Sequence, residues 1–209
     1  MDLHNYRQQY NAGSLHADGL LKDPFLQFED LFSKAKASGV VEPNAMTIAT
    51  YDEAHGVEAR VVLLKEVNDG FIFYTNYNSK KGQQLIANPR AAILFWWQTI
   101  ECQVRIKGLV EKVDPATSSR YFESRPHDSK AAAIASDQSN VINDYSALLN
   151  KYENIKEMDD SALIRPEHWG GFILKPTEFE FWQGRPNRMH DRFRYMLSDN
   201  EWKIDQLFP

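Results

Sequence analysis

Three groups of basic and hydroxyl side chains are candidates for binding an anion. In the first group, Tyr121 and Arg125 are four residues apart, so they share one face of a helix. Ser129 follows after Pro126, and we expect it to cap the next helix. Hydroxyl groups beside a guanidinium can hold a phosphate, because arginine offers paired donors to its oxygens. A helix-end arginine between ordinary caps would give the same pattern.

Two further basic groups precede this one. The segment Ser79-Lys80-Lys81-Gly82 opens a short helix predicted over 79–88, and its free backbone N–H groups and two lysines would attract a phosphate. A serine cap with exposed lysines is the alternative. Arg60 and Lys65 bracket an apolar strand and are five residues apart, so on a regular strand they would point to opposite faces. Each could then meet a different anion, or only solvent.

The densest group lies between Phe181 and Arg194, where four arginines, a histidine and a tryptophan occur within 14 residues. Cations beside aromatic rings suit a flat, anionic, aromatic ligand, although such a run more often forms a solvated turn. Arg188 and His190 are two residues apart, so both would project to one side of an extended strand. A purely structural role is the alternative for His190.

The spacing of apolar residues predicts the elements that position these groups. Phe25, Phe28, Phe32 and Ala35 recur at helical spacing between an Asp-Pro start at 23–24 and a glycine stop at 39. From 45 to 113, β-branched and aromatic runs alternate with Gly-containing turns, which is typical of antiparallel hairpins. Ile100, Cys102, Val104 and Ile106 alternate with polar residues, as in a strand with one buried face.

The same patterns predict the elements after residue 113. The pattern is helical to about residue 160, and strands are predicted near 170–183, 192–197 and 202–207. Most strand connections are too short for parallel crossovers, so we predict an α+β fold: a mainly antiparallel β-barrel with peripheral helices. Residues 1–20 are polar and are predicted to form a flexible segment, whereas 21–209 form a single domain without an internal linker.

Composition narrows the class of protein. The chain has 209 residues, of which 43% are hydrophobic and 25% charged, as expected of a soluble globular protein. Its longest apolar run, 91–97, is far shorter than the ~20 residues of a membrane span, and the N-terminus has no apolar signal core, so we expect a cytoplasmic protein. The net charge of −5 argues against nucleic-acid binding. The single cysteine, Cys102, excludes an intrachain disulfide and a CxxC metal site.

Taken together, these segments resemble the pyridoxine/pyridoxamine 5′-phosphate oxidase family over nearly the whole chain. The resemblance rests on many motifs in the same order. They are Arg60-Val-Val-Leu-Leu-Lys65, Tyr74-Thr-Asn76, Ser79-Lys-Lys81, Asn88-Pro-Arg90, Gln103-Val104, Tyr121-Phe-x-Ser-Arg-Pro126, Gln138-Ser139, Phe181-Trp-Gln-Gly184, Asn187-Arg-Met-His-Asp-Arg192 and the ending Trp202–Pro209.

The resemblance implies an FMN-binding split barrel that works as a homodimer with the flavin at the subunit interface. It implies flavin contacts from Arg60, Val61, Val62, Leu63, Leu64, Lys65, Tyr74, Thr75, Lys80, Lys81, Gln103, Gln138, Ser139, Trp182 and Arg192. It implies a clamp on the substrate phosphate from Lys65, Tyr121, Arg125 and Ser129, with Arg188 and His190 as the catalytic pair over the pyridine ring. Arg7 and Tyr10 match a mobile N-terminal segment that covers the substrate.

The implied reaction oxidises pyridoxamine 5′-phosphate or pyridoxine 5′-phosphate to pyridoxal 5′-phosphate, with dioxygen as electron acceptor and no metal. Two alternatives stay open: a split-barrel protein that binds FMN or pyridoxal phosphate without turnover, and a flavin reductase. A reductase needs no second phosphate clamp, whereas a pyridoxal phosphate carrier does. Only a measurement of turnover therefore distinguishes such a carrier from the oxidase. The chain departs from the family pattern at Cys102, at His127, where relatives commonly have arginine, and at Ala132–Ile134.

Overall fold

The computed structural model describes residues 1–209 as one nine-stranded antiparallel sheet with five α-helices. The strands are β1 (Ala45–Asp52), β2 (Gly56–Leu63), β3 (Glu66–Val67), β4 (Phe71–Asn76), β5 (Arg90–Trp97), β6 (Cys102–Lys112), β7 (Trp169–Gln183), β8 (Asp191–Ser198) and β9 (Glu201–Gln206). The helices are α1 (Pro24–Ala37), α2 (Lys80–Ala87), α3 (Pro115–Glu123), α4 (His127–Ala135) and α5 (Tyr145–Lys156). The predicted α+β class is therefore confirmed.

Helix α1 covers one side of the curved sheet. The Asp23 carboxylate accepts the Phe25 N–H at 2.8 Å, and Gly39 ends the segment with φ +87°, which only glycine adopts without strain. Phe28 is 1% exposed and packs its ring 5.0 Å from Phe71 and 5.1 Å from Phe95. The aromatic face predicted for this helix is thus part of the core.

The sheet follows the order β2-β1-β5-β6-β7-β4-β3, with β8 beside β7 and β9 at the edge. Cys102, Val104 and Ile106 of β6 are fully buried, which confirms the predicted alternation, although Ile100 belongs to a short 3-10 turn before the strand. Burial raises the pKa of the Cys102 thiol to about 12, so this cysteine is a packing residue.

The structure corrects three local predictions. Helix α3 ends at Glu123, so Arg125 lies just beyond it and does not share a helix face with Tyr121. Strand β2 ends at Leu63, because the Leu64 N–H bonds to the Asn44 carbonyl while the Lys65 N–H bonds to Ile72 on β4. The chain changes partner there, so Arg60 and Lys65 do not lie on opposite faces of one regular strand. Ser129 is also not a cap: α4 begins at His127, and Ser129 lies inside its first turn.

None of the helices has the length and apolar character needed to cross a bilayer. No group of three or more His, Cys, Asp or Glu side chains is arranged to bind a metal ion.

Candidate active site

One cavity has a volume of about 700 Å³, within the range of small-molecule sites. Its wall comes from β2 and the turn that follows it, from β4, from the start of α2, and from α3 and α4. The lining residues are Arg60, Val61, Val62, Leu63, Lys65, Tyr74, Thr75, Asn76, Lys81, Tyr121, Arg125, Pro126, Ser129, Ala132, Ala133, Ser136, Gln138 and Trp169. The three basic groups that the sequence singled out upstream of residue 130 therefore meet around one space.

One end of the cavity is built on the start of α2. Ser79 caps this helix by accepting the Gly82 N–H, which confirms the predicted short helix. Lys81 contacts only neutral oxygens: Thr75 Oγ1 at 3.2 Å, Ser79 Oγ at 3.4 Å and Gln138 Oε1 at 3.1 Å. Burial, with a smaller contribution from the Arg60 charge, lowers the Lys81 pKa from its ordinary value. A dehydrated ammonium at a helix N-terminus is a strong site for an anion.

The Arg60 guanidinium is fixed by the protein itself. It donates to Thr50 Oγ1 at 2.6 Å and to Glu58 Oε2 at 3.0 Å, and Nη2 lies 3.4 Å from Gln84 Oε1. Glu58 also forms an ion pair with Lys80. Glu58, Arg60 and Lys80 line a smaller hollow of about 500 Å³ beside the cavity, together with Lys81, Gln138 and Ser139. A carboxylate therefore lies among the cations at this end.

The other end of the cavity has a wall of parallel aromatic rings. Tyr74 stacks on Tyr121 with 3.9 Å between ring centres, and the nearly parallel Trp169 ring lies 5.6 Å from Tyr74 and 6.2 Å from Tyr121. Arg125 lies over the Trp169 ring at 4.7 Å, and its buried Nη1 has no hydrogen-bond partner. Burial lowers the Arg125 pKa from its ordinary value, yet no carboxylate pairs with it. An unpartnered buried guanidinium donor is costly, so it points to an anionic ligand.

The C-terminal group lies elsewhere on the chain. Tyr10, Trp96, Trp182 and His190 form an aromatic cluster, with ring centres 4.5 Å apart for Trp182–His190 and 5.8 Å apart for Tyr10–Trp182. Strand register places Trp96, Gln103, Trp182 and Arg192 side by side across β5, β6, β7 and β8. None of these side chains lines the cavity.

His190 has a defined tautomer in this cluster. Its Nδ1 accepts the Arg185 backbone N–H at 3.1 Å, so the neutral ring carries its proton on Nε2. Burial, with the charge of Arg188, lowers the His190 pKa and favours this neutral form. The expectation that Arg188 sits on an extended strand is wrong: Asn187 and Arg188 have φ +56° and +61° in a tight turn, and β8 begins only at Asp191.

Some predicted residues lie outside both groups. The Leu64 side chain is buried in the core, and Lys80 and Ser139 line only the smaller hollow. The Arg7 side chain makes no hydrogen bond, whereas Tyr10 packs against Gly184, where an added Cβ would lie 2.7 Å from the Tyr10 ring. Gln9 accepts the Asn187 N–H at 3.1 Å, so residues near Tyr10 lie along the β7–β8 turn.

Sequence reasoning missed three residues of these sites. Trp169 supplies a wall of the cavity, Glu58 pairs with Arg60 and Lys80 at the smaller hollow, and Glu180 binds Arg192. Trp169 begins β7 and is followed by two glycines. This pattern in the sequence could have marked Trp169 as a candidate site residue. The two glutamates look like ordinary strand residues, and only cross-strand pairing shows their partners.

Comparisons with known proteins agree on one family. Residues 32–159 match the family model described as pyridoxamine 5′-phosphate oxidase, and 169–209 match its C-terminal dimerisation region. A pyridoxine/pyridoxamine 5′-phosphate oxidase of Bordetella pertussis is 47% identical over 100% of both chains. That of a Cyanothece strain is 44% identical over 100% of this chain and 99% of its own.

Solved structures show the same fold. PhzG from Burkholderia lata, in complex with tetrahydrophenazine-1-carboxylic acid, superposes with a TM-score of 0.89 at 29% identity and covers 93% of this chain and 98% of its own. A pyridoxamine 5′-phosphate oxidase-related, FMN-binding protein of Nostoc punctiforme has a TM-score of 0.72 at 15% identity, over 91% of this chain and 100% of its own.

Proposed function

Because this chain belongs to the pyridoxine/pyridoxamine 5′-phosphate oxidase family, we propose that its cavity holds FMN and the phosphorylated substrate side by side. The protein is an FMN-dependent oxidoreductase that forms pyridoxal 5′-phosphate from pyridoxine and pyridoxamine 5′-phosphates. The observation that carries the placement is the pair of cations without carboxylate partners, Lys81 and Arg125, at two different places in one cavity. Two such anion sites suit two phosphorylated molecules.

The residues present fit this flavin. Lys81, Lys80, Arg60 and the α2 N-terminus would hold its phosphate, and Thr75 and Gln138 lie within hydrogen-bond distance of Lys81. The apolar segment Val61–Leu63 lines the cavity wall next to them. The flavin held by these residues would supply a hydride acceptor for the substrate carbon C4′, and dioxygen would take up the electrons to give hydrogen peroxide. Dioxygen as acceptor and the cytoplasm as location are proposals that follow from the resemblance alone.

The substrate phosphate would bind at the aromatic end of the cavity. Arg125 supplies the unpartnered Nη1 donor, and Lys65, Tyr121 and Ser129 line the same end. The Trp169 ring under the guanidinium holds it in place and excludes water. This remote binding energy can align the reacting carbon, because a fixed phosphate leaves the pyridine ring few orientations.

We propose that a second copy of the chain completes the site. Arg188, His190, Trp182, Gln103 and Arg192 lie away from the cavity of their own chain. Most of them fall within residues 169–209, which match the dimerisation region. The sheet face that carries them continues into exposed apolar side chains on β1, β2 and β5: Tyr51, Val57, Val61 and Trp96. A buried dimer interface would cover this face and bring the aromatic cluster of one protomer to the cavity of the other.

In that arrangement the protein's groups have separate tasks. The His190 Nε2–H can donate to a polar group of the substrate, and Arg188 can lie over the pyridine ring as a flat cation. Tyr10 and Arg7, in the predicted flexible segment 1–20, would cover the bound substrate. Tyr10 already contacts the Trp182 and His190 rings in this structure.

One experiment tests the proposal against its alternatives. The purified protein should be yellow with a flavin spectrum, should be a dimer by light scattering, and should form pyridoxal 5′-phosphate from pyridoxamine 5′-phosphate under air. Hydrogen peroxide should appear in equal amounts. Binding without turnover would make the protein a carrier, and turnover only with a nicotinamide donor and free flavin would make it a reductase. A monomer that retains FMN and activity would overturn the shared site.

A further inference from the structure

A buried carboxylate on β7 joins two arginines beside the aromatic cluster. Glu180 lies between Phe179 and Phe181, whose rings are in the core, so its side chain points to the opposite face of the sheet. It is 2% exposed. One oxygen accepts Arg192 Nε at 3.0 Å and Arg192 Nη2 at 2.7 Å, and the other oxygen pairs with Arg105.

The strand register explains why these three side chains meet. Arg105 on β6 is directly opposite Glu180, and Arg192 on β8 is opposite Trp182, one diagonal step from Glu180. A buried carboxylate without a partner would be strongly destabilising, and the two guanidinium groups supply that partner. The three groups together carry a net charge of about +1, from two cations and one anion.

The arrangement leaves Arg192 held but still able to bind. A guanidinium has five N–H donors. Arg192 gives two to Glu180 and one, from Nη1, to the Phe208 carbonyl at 3.0 Å, which leaves one donor on Nη1 and one on Nη2. Its side chain is 27% exposed, so these donors can reach a ligand.

We propose that Glu180 is a positioning residue for FMN: it fixes the Arg192 guanidinium in the orientation in which its two remaining donors bind the flavin. This inference rests on the proposed function, which assigns Arg192 to the flavin. Without Glu180, Arg192 would have to order its long side chain on binding, and the entropy lost would weaken FMN affinity.

The same strand offers a matched control. Glu178 is two residues earlier on the same face and pairs with Lys107 at 2.9 Å. Lys107 has no assigned part in binding. Replacing Glu178 by glutamine therefore changes the charge of the sheet face in the same way, without touching Arg192.

The first test is titration of flavin-free protein with FMN, followed by flavin fluorescence. Arg192→Ala should weaken binding by roughly tenfold or more, and Glu180→Gln by about tenfold, whereas Glu178→Gln should match the wild type. In an Arg192→Ala background, Glu180→Gln should add no further loss, because its effect passes through Arg192. Unchanged FMN affinity in Arg192→Ala would show that Arg192 does not bind the flavin. It would overturn both the proposed Arg192 contact and the positioning role of Glu180. A loss in Arg192→Ala with none in Glu180→Gln would overturn only the positioning role.

A second variant separates positioning from charge. Glu180→Gln combined with Arg105→Gln keeps the net charge of the cluster, since one anion and one cation are lost together. It also avoids leaving two arginines beside an uncharged group if the single variant fails to fold. The double variant should still bind FMN about tenfold more weakly while its flavin-free form unfolds near the wild-type temperature. Wild-type affinity in this variant, or failure of both variants to fold, would assign Glu180 to charge balance or to stability and overturn the proposal.

Discussion

The cavity and the aromatic cluster both carry arginines and aromatic rings, but they satisfy their cations differently. In the cavity, Lys81 has only neutral oxygens around it and Arg125 keeps a buried donor without a partner. Beside the cluster, Arg192 is bound to Glu180 and Arg185 lies 3.6 Å from Asp191. Lys81 and Arg125 in the cavity are therefore available to bind external anions, whereas most cations beside the cluster form ion pairs within the protein.

This difference predicts how each region responds to mutation. Loss of a cation in the cavity should weaken binding of a phosphorylated molecule and leave the fold intact. Loss of a paired cation beside the cluster should leave its carboxylate without that partner, in addition to any effect on a ligand. Arg188 breaks the pattern, since it lies in the cluster turn and takes part in no ion pair.

The largest effect should come from Arg188 and His190. Arg188→Ala should keep the yellow flavin and lower kcat/KM by roughly 30- to 1000-fold, which corresponds to ~2–4 kcal/mol of transition-state stabilisation. The reason is that an unpaired guanidinium in the cluster is free to meet substrate. Anaerobic stopped-flow reduction of the flavin by substrate measures this step in Arg188→Ala and His190→Ala. Wild-type rates of flavin reduction in both variants would show that Arg188 and His190 have only a structural role in this turn.

Arg125 tests the cavity side of the comparison. Arg125→Ala should raise KM for pyridoxamine 5′-phosphate by roughly tenfold or more, because a charge-assisted contact to phosphate is lost. Arg120→Ala is the control, since Arg120 lies on α3, just before Arg125 in the chain, but bonds only to Thr117. Steady-state kinetics should also show that unphosphorylated pyridoxamine is a poor substrate of the wild type. Equal use of both substrates would contradict the phosphate clamp.

Lys81 should affect the flavin more than the substrate. Lys81→Ala should weaken FMN affinity by roughly 10- to 150-fold, from a lost contact on the order of 1.5–3 kcal/mol, while KM changes little. Lys80→Ala should cost less, because the Lys80 ammonium already pairs with Glu58. Titration of the flavin-free variants gives both values. The reverse order of the two lysines would mean that Glu58 does not compete with the flavin phosphate.

These sites show which features the sequence could predict. Helix α1, helix α2 and the hairpins follow from local patterns, such as the Asp23 cap and the Ser79 cap, and the structure confirms them. The partner switch after Leu63 was not predictable in this way, because it depends on Asn44 and Ile72 together. Local patterns say nothing about such distant pairings.

In the candidate site, too, the residues marked by local patterns were predicted and those that depend on distant partners were missed. Helical spacing drew attention to Tyr121 and Arg125, and both line the cavity, although Arg125 lies just beyond the end of α3. The left-handed Arg188 was missed, since the turn at 186–190 is set by its surroundings. Glu180 was missed because a glutamate between two phenylalanines looks like a solvent-facing strand residue until the flanking strands supply arginines.

Glu58 is the exception within the cavity region, and removing it should sharpen the comparison. Its carboxylate holds Arg60 at 3.0 Å and also pairs with Lys80. Glu58→Gln should free both cations and tighten FMN binding by roughly threefold, with little effect on riboflavin, which lacks the phosphate. Glu53→Gln removes a charge from the turn of the same hairpin and is the control. Weaker FMN binding in Glu58→Gln would show that Glu58 orients Arg60 instead.

The smallest effect should be a pH dependence at His127, which begins the helix that carries Ser129. His127 Nδ1 lies 3.0 Å from Asp160 Oδ1, and Nε2 lies 2.8 Å from the Lys156 carbonyl. Both partners are acceptors, so the ring can donate to both only in its protonated form. The Lys156 carbonyl first, and then the Asp160 carboxylate, raise the His127 pKa above its ordinary value of 6.5, and Asp128 adds to this. The neighbouring lysines are already paired, Lys130 with Asp160 and Lys156 with Asp128.

Folding therefore favours the protonated ring, and the stabilisation is complete below about pH 6.5 and is lost as the pH rises through the raised pKa. Thermal unfolding at pH 6 should show a slightly lower Tm for His127→Gln than for the wild type, because glutamine can donate at only one of the two positions. The gap should close as the pH rises above the raised value. KM for the phosphorylated substrate should rise over the same range in the wild type, since α4 carries Ser129 to the cavity. A gap in Tm that stays constant across this range would mean that His127 anchors α4 in its neutral form.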